Sequence, residues 1–163
     1  MDRKQKVLFV CIENSCRSQM AEGFARRMGG DILEPYSAGS NPADEVSPSA
    51  VAVMAEAGID ISSQKPKGFA AFPAAEFDYL VGMGCSDTCP FFPAARHIQW
   101  DIPDPKGKDI EVFRQVRDII IRRRKSRSWC AAPEQKRYQV FRALSSAEGY
   151  VISVPVIEKR RTR

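Results

Sequence analysis

The stretch VLFVCIENSCRSQM, residues 7–20, restricts the fold more than any other part of the chain. Lys6 to Val10 is a short apolar run rich in Val and Phe, the pattern of a strand buried in a parallel sheet. It stops at Cys11. From Ser18 to Met28 the apolar residues Met20, Ala21, Phe24, Ala25 and Met28 recur at helical spacing, and Gly29-Gly30 ends the pattern. Strand, loop and helix in that order make the first half of a βαβ unit.

The rest of the first 123 residues repeats this alternation. Asp31 to Ala38 reads as a second strand and closes in the loop signature Gly39-Ser40-Asn41-Pro42. Ser47-Pro48 opens a helix, with Ser as N-cap and Pro at the first helical position, and Gly58 ends it. A short helix is expected over Phe69 to Phe77, a third strand over Asp78 to Met83 and a fourth over His97 to Asp101. Asp109 to Arg122 carries one broad apolar stripe through Ile110, Val112, Phe113, Val116, Ile119 and Ile120. The expected architecture is α/β, a four-stranded parallel sheet flanked by helices on both faces. Ligands of such sheets sit beyond the C-terminal strand ends, where Cys11 lies.

Charge divides the chain in two. Residues 122–163 hold 12 Lys/Arg against three Glu, a net +9, whereas the first 121 residues carry a net −4. The expected organisation is a catalytic domain over 1–123 and a basic extension over 124–163. Nucleic acid is expected, if at all, only at that extension, because the overall +5 does not describe the domain. No apolar stretch approaches the roughly 20 residues of a membrane span, and the N-terminal apolar run is too short for a secretory segment. A cytoplasmic monomer is expected. The five cysteines, at 11, 16, 85, 89 and 130, are then available for catalysis, redox work or metal rather than a disulfide framework.

Cys11, Ile12, Glu13, Asn14, Ser15, Cys16, Arg17 and Ser18 form a C-x5-R-S loop between strand and helix. Successive backbone N–H groups in such a loop make a nest for a tetrahedral oxyanion, reinforced by the helix N-terminus. Arg17 can grip two oxyanion oxygens as a fork, with Cys11 beneath the central atom. These donors favour a thiolate, the nucleophilic form of the side chain. Asn14 tolerates the left-handed backbone that a tight loop needs, and Ser18 can donate to the sulfur. Inert buried cysteines fit this context poorly. A zinc site uniting Cys11 and Cys16 with Cys85 and Cys89 is disfavoured by the C-x4-C spacing, and His97 reads as a strand residue.

The stretch VLFVCIENSCRSQMAEGFAR, together with YSAGS (36–40) and GIDIS (58–62), resembles the low-molecular-weight protein tyrosine phosphatases and the thioredoxin-coupled arsenate reductases, which share one fold. The resemblance covers residues 6 to about 123. It implies an aspartate in an Asp-Pro step as proton donor to the leaving oxygen. Asp104-Pro105 supplies one, with Asp101 as its rival. Phosphatases of this type carry aromatic residues just after that step, where this chain has Lys106-Gly107. The reductases carry a redox pair after the third strand, where this chain has Cys85 and Cys89. The resemblance therefore implies arsenate reduction through Cys11, Cys85 and Cys89, regenerated by thioredoxin. The alternatives are phosphomonoester hydrolysis through a Cys11 phospho-enzyme, and a non-catalytic module that senses oxyanions or docks a partner. Cys16 is expected to pack the loop.

Three features depart from the family pattern. Glu13 stands where a small residue is usual, and a carboxylate beside an anion nest weakens oxyanion binding unless it points away. Some reductases bind potassium near the loop. Asn14, Glu22 and Ser37 match three of those ligand positions, but the fourth, normally an aspartate, falls near Lys65 to Lys67, which argues against potassium dependence. The extension beyond 123 matches nothing familiar.

Overall fold

A computed structural model describes residues 3–73, 76–84 and 92–123. The expected redox pair Cys85/Cys89, Cys130 and the 124–163 extension lie outside the described residues.

Four parallel strands form one sheet: β1 (Gln5–Cys11), β2 (Leu33–Gly39), β3 (Phe77–Met83) and β4 (Ala94–Trp100), in the order β2-β1-β3-β4. The central strand β1 is apolar on both sides, and its residues alternate between two cores. Val7, Phe9 and Cys11 face a core shared with α1 (Arg17–Gly29), α2 (Pro48–Glu56) and α3 (Ile110–Arg123). Met20 and Phe24 of α1, Val53 and Met54 of α2, and Phe113, Val116 and Ile120 of α3 bury there. Leu8 and Val10 face the opposite core with Ala38, Phe77 and Leu80, bordered by Tyr36, Phe69, Phe72 and Phe92. Helical elements thus lie on both faces in unequal measure, three α-helices against one and a 3-10 turn at Phe69–Ala71 against the other.

Two expected elements differ in extent. The helix expected over Phe69 to Phe77 is only that 3-10 turn, because Phe77 already belongs to β3. Phe69, Phe72 and Phe77 sit at apolar spacing because their rings pack as a cluster with Tyr36 and Phe92. β4 starts at Ala94 rather than His97, because edge pairing to β3 begins at Phe77↔Ala94. His97 is an exposed strand residue whose Nε2 lies 3.0 Å from the Phe92 carbonyl. Among the described residues no helix is long and apolar enough to cross a membrane.

Local sequence explains the helix ends near the site. Pro48 occupies the first turn of α2, as expected, but Ser47 makes no side-chain cap. Its N–H instead reaches across to the Ser15 carbonyl at 2.9 Å. At the other end, Gly58 takes φ +73 while Gly58 N–H and Ile59 N–H bond back to Ala55 and Met54 carbonyls, the left-handed closure that favours glycine.

Candidate active site

β1 ends at Cys11 and α1 begins at Arg17, so residues 12–16 must turn the chain above the C-terminal edge of the sheet. The turn is held from outside. The carbonyl of Ile12 accepts from Asn41 N–H at 2.8 Å, that of Glu13 from Ala43 N–H at 2.9 Å and that of Ser15 from Ser47 N–H at 2.9 Å. The Asn14 carbonyl accepts from Gln19 Nε2 at 2.9 Å. Four consecutive carbonyls are therefore drawn away from the loop interior. In trans peptides the next N–H points the opposite way, so the amides of residues 13–16 turn inward. Asn14 N–H does so visibly, donating to Cys11 Sγ at 3.2 Å. The result is an anion nest with a sulfur at its floor.

Asn14 adopts φ +50, the left-handed conformation expected of it, and is fully buried. Its amide group joins three parts of the site. Nδ2 donates to Ser18 Oγ at 2.7 Å, while Oδ1 accepts from Lys67 N–H at 2.8 Å and Gln19 Nε2 at 3.0 Å. Ser18 Oγ lies 2.9 Å from Cys11 Sγ, so accepting a hydrogen bond from Asn14 Nδ2 leaves its own hydroxyl hydrogen to donate to the sulfur. Gln19, buried in α1, also accepts from Gln64 Nε2. Reading the sequence missed Gln19 and Gln64; the signal was a glutamine directly before the apolar Met20-Ala21 pair.

Arg17 is buried and spans to the loop after β4. Nη1 donates to the Ile102 carbonyl at 3.1 Å, and Nη2 pairs with Asp104 Oδ2 at 2.9 Å. Of the two candidate acids, Asp104 is the one that reaches Arg17. Cys11, Glu13, Ser15, Cys16, Arg17 and Asp104 line a cavity of about 10 Å³. That is about the space of one water, so an oxyanion must displace the Asp104 carboxylate from Arg17 to enter. Gly84, at φ +81, closes the side of this arrangement: a Cβ there would lie 2.5 Å from Arg17 Nη1.

Cys16 is buried in the helical core, as its expected packing role requires. Burial pushes its thiol up from the ordinary cysteine value, against the opposing hydrogen bonds of Ser15 and Ser47. Glu13 does not point freely into solvent. Its carboxylate pairs with Lys106 Nζ, and its other oxygen accepts from Ser15 Oγ at 3.4 Å.

The positions matched to potassium ligands hold a different arrangement. The buried Glu22 carboxylate accepts from Ser37 Oγ and from Arg26, and Lys67 Nζ stands 3.7 Å from its second oxygen. Two protein cations already serve one carboxylate, and Asn14 Oδ1 is occupied by two donors. A further monovalent cation does not fit these residues.

The profile of the family described as low molecular weight phosphotyrosine protein phosphatase matches residues 6–137. The chain belongs to that family. Within it, a curated relative named glutaredoxin arsenate reductase, from Synechocystis, is 41% identical over 119 residues, covering 71% of this chain and 90% of the relative. A solved arsenate reductase in a phosphate-binding state is 40% identical with TM-score 0.66, covering 73% of this chain and 92% of that one. A thioredoxin-dependent arsenate reductase from Corynebacterium glutamicum is 32% identical with TM-score 0.59, covering 78% and 64% respectively. The chain is thus similar in sequence and fold to proteins named as arsenate reductases.

Proposed function

We propose that this chain reduces arsenate to arsenite, using Cys11 as nucleophile and Cys85 and Cys89 as the source of two electrons. The observation that carries the reading is the Cys11 sulfur at the floor of an anion nest, 3.2 Å from Asn14 N–H and 2.9 Å from Ser18 Oγ, with Arg17 and Asp104 across the mouth. The relatives named as arsenate reductases support it.

In the proposed sequence, arsenate displaces Asp104 from the Arg17 fork and lies over the sulfur. The Cys11 thiolate forms an S–As bond as an As–OH bond breaks, and Asp104, which takes a proton from solvent once freed from Arg17, passes that proton to the departing hydroxyl, which leaves as water. The Cys85 thiolate then attacks Cys11 Sγ. An S–S bond forms, the S–As bond breaks, and its electron pair stays on arsenic, which leaves as arsenite. Cys89 attacks Cys85, releasing Cys11 as a thiolate and leaving a Cys85–Cys89 disulfide. A dithiol protein of the thioredoxin class, or a glutaredoxin with glutathione, restores the pair. Dependence on such donors implies a cytoplasmic activity. The Cys11, Arg17 and Asp104 groups would equally support phosphomonoester hydrolysis, but that reaction gives Cys85 and Cys89 nothing to do.

The test follows NADPH loss with arsenate, comparing the thioredoxin and glutaredoxin systems, beside hydrolysis of an aryl phosphate. The expected result is arsenate-dependent NADPH loss that disappears in Cys85→Ser, while any aryl-phosphate hydrolysis survives. Hydrolysis without reduction would overturn the reductase reading in favour of a phosphatase. Neither activity, with phosphate still protecting Cys11 from alkylation, would leave an oxyanion-binding module.

A further inference from the structure

Two ties join the anion loop to the loop after β4. The inner one is the Arg17 fork on Ile102 and Asp104, with an Arg17 side chain only 5% exposed. The outer one is the ion pair between Glu13 and Lys106, whose side chains are 26% and 60% exposed. Lys106 is fixed at its base too, its N–H donating to Asp104 Oδ1 at 3.1 Å. Glu13 and Asp104 line the same small cavity over Cys11. The outer pair therefore crosses the mouth directly beyond the residue placed to protonate the leaving oxygen.

We propose that the Glu13–Lys106 pair is a size-selecting bar across the oxyanion cradle, admitting a bare tetrahedral oxyanion and excluding phosphomonoesters that carry an aryl group. The inference rests on the oxyanion-cradle reading of residues 11–18. A proton donor must stand beside the oxygen that departs. Whatever that oxygen carries emerges next to Asp104, and the next side chain outward is Lys106, joined to Glu13. An oxyanion that loses water sends nothing past the pair. An ester must part it before its central atom reaches Cys11. Glu13 raises the Lys106 ammonium above the ordinary lysine value, so the lysine stays charged across neutral pH. The pair also removes the repulsion expected of a carboxylate in an anion loop, since its charge is matched at the rim. An exposed ion pair is weak and is screened by salt, so exclusion is several-fold rather than absolute.

The test compares the native chain with Lys106→Ala and Glu13→Gln in two assays. One is kcat/KM for p-nitrophenyl phosphate. The other is protection of Cys11 from iodoacetamide by inorganic phosphate, read by peptide mass spectrometry. The bar predicts that hydrolysis rises on the order of 5-fold in both variants at low salt, and that the gap narrows as KCl approaches about 1 M. Phosphate protection in Lys106→Ala does not rise, because the bar excludes the substituent and not the anion, and the Glu13 carboxylate left unpaired repels it. Unchanged, reduced or absent hydrolysis in both variants would overturn the proposal. So would an equal gain in phosphate protection and hydrolysis, which would mean that the pair acts by charge on every oxyanion. Absence of arsenate reduction beside the expected hydrolysis pattern would overturn the reductase reading and support the bar. Reduction with unchanged hydrolysis would do the reverse.

Discussion

Gly39 tests whether the loop is held as a rigid cradle by its neighbour strand. It ends β2, pairs with Cys11 across the sheet, and takes a hydrogen bond register in which its N–H reaches the Lys67 carbonyl at 2.8 Å. A Cβ at this position would stand 2.5 Å from the Ile12 carbonyl oxygen, 2.8 Å from Asn14 N and 2.9 Å from the Glu13 carbonyl carbon. All three are backbone atoms of the anion loop. Restoring an ordinary contact of about 3.4 Å to Ile12 O requires roughly 0.9 Å of movement between β2 and the loop. The φ of Gly39 is not in the left-handed region, so the whole effect of Gly39→Ala is steric. Overpacking of this kind costs about 1–3 kcal/mol, a fall of roughly 2–12 °C in Tm for a chain of this size. The site suffers more than the fold, because a shift near 1 Å at reacting groups costs on the order of 100-fold in rate.

Two readouts separate these effects. Thermal unfolding reports the fold, while Cys11 alkylation with and without phosphate reports the nest. Gly39→Ala is expected to remain folded at 25 °C, to lose phosphate protection, and to lose about two orders of magnitude in kcat/KM for arsenate. Gly58→Ala is the control. Gly58 has φ +73, and a Cβ there would meet nothing within 4 Å, so the variant should lose about 1 kcal/mol of stability and keep phosphate protection. Gly39→Ala with native protection and activity within about threefold of native would refute the idea that β2 fixes the loop.

Three further outcomes follow from other contacts. Gly84→Ala combines a strained φ of +81 with a Cβ 2.5 Å from Arg17 Nη1, and should weaken phosphate protection of Cys11 by about tenfold or more; unchanged protection would show that Arg17 can retreat freely. Burial of Asp78 opposes its charge, but the Arg3 fork and Lys6 N–H outweigh it and hold the carboxyl below its ordinary 3.8. Stability from that lowered value is present above 3.8 and is lost as pH falls through the lowered folded-state value, so Asp78→Asn should be less stable than native at pH 7 and the gap should close progressively as pH falls below 3.8 in denaturant titrations. Burial raises the Cys16 thiol, so iodoacetamide at pH 7 should label Cys11 well before Cys16 in peptide maps, and the reverse order would assign the reactive thiol wrongly.

The fold was legible where one segment's pattern decided it. β1 is apolar on both faces because three helices cover one and an aromatic cluster borders the other, which is the composition expected of a central parallel strand. The Phe69 to Phe77 segment misled because aromatic spacing resembles an amphipathic helix when the rings in fact gather from a turn and two strands. β4 was short in the sequence because Ala94 to Arg96 lies on the sheet edge, half-buried or exposed, and edge residues need no apolar signature. Cys11, Asn14, Arg17 and Ser18 were legible for a related reason: strand, nest and helix N-terminus are contiguous, so their geometry is local.

What escaped the sequence was contact between distant segments. The 41–47 stretch satisfies three loop carbonyls through its backbone N–H groups, a role that any residue except proline can fill and that leaves no mark in side-chain chemistry. Glu13 and Lys106 looked like two unrelated departures from a family pattern, a charge in an anion loop and a missing aromatic after Asp-Pro. They lie 93 residues apart and meet as one ion pair. A carboxylate alone at position 13 would repel the anion that the nest is built to hold, and a lysine alone at 106 would grip no ring. Together they cancel at the rim and close it, so each departure supplies the physical reason for the other.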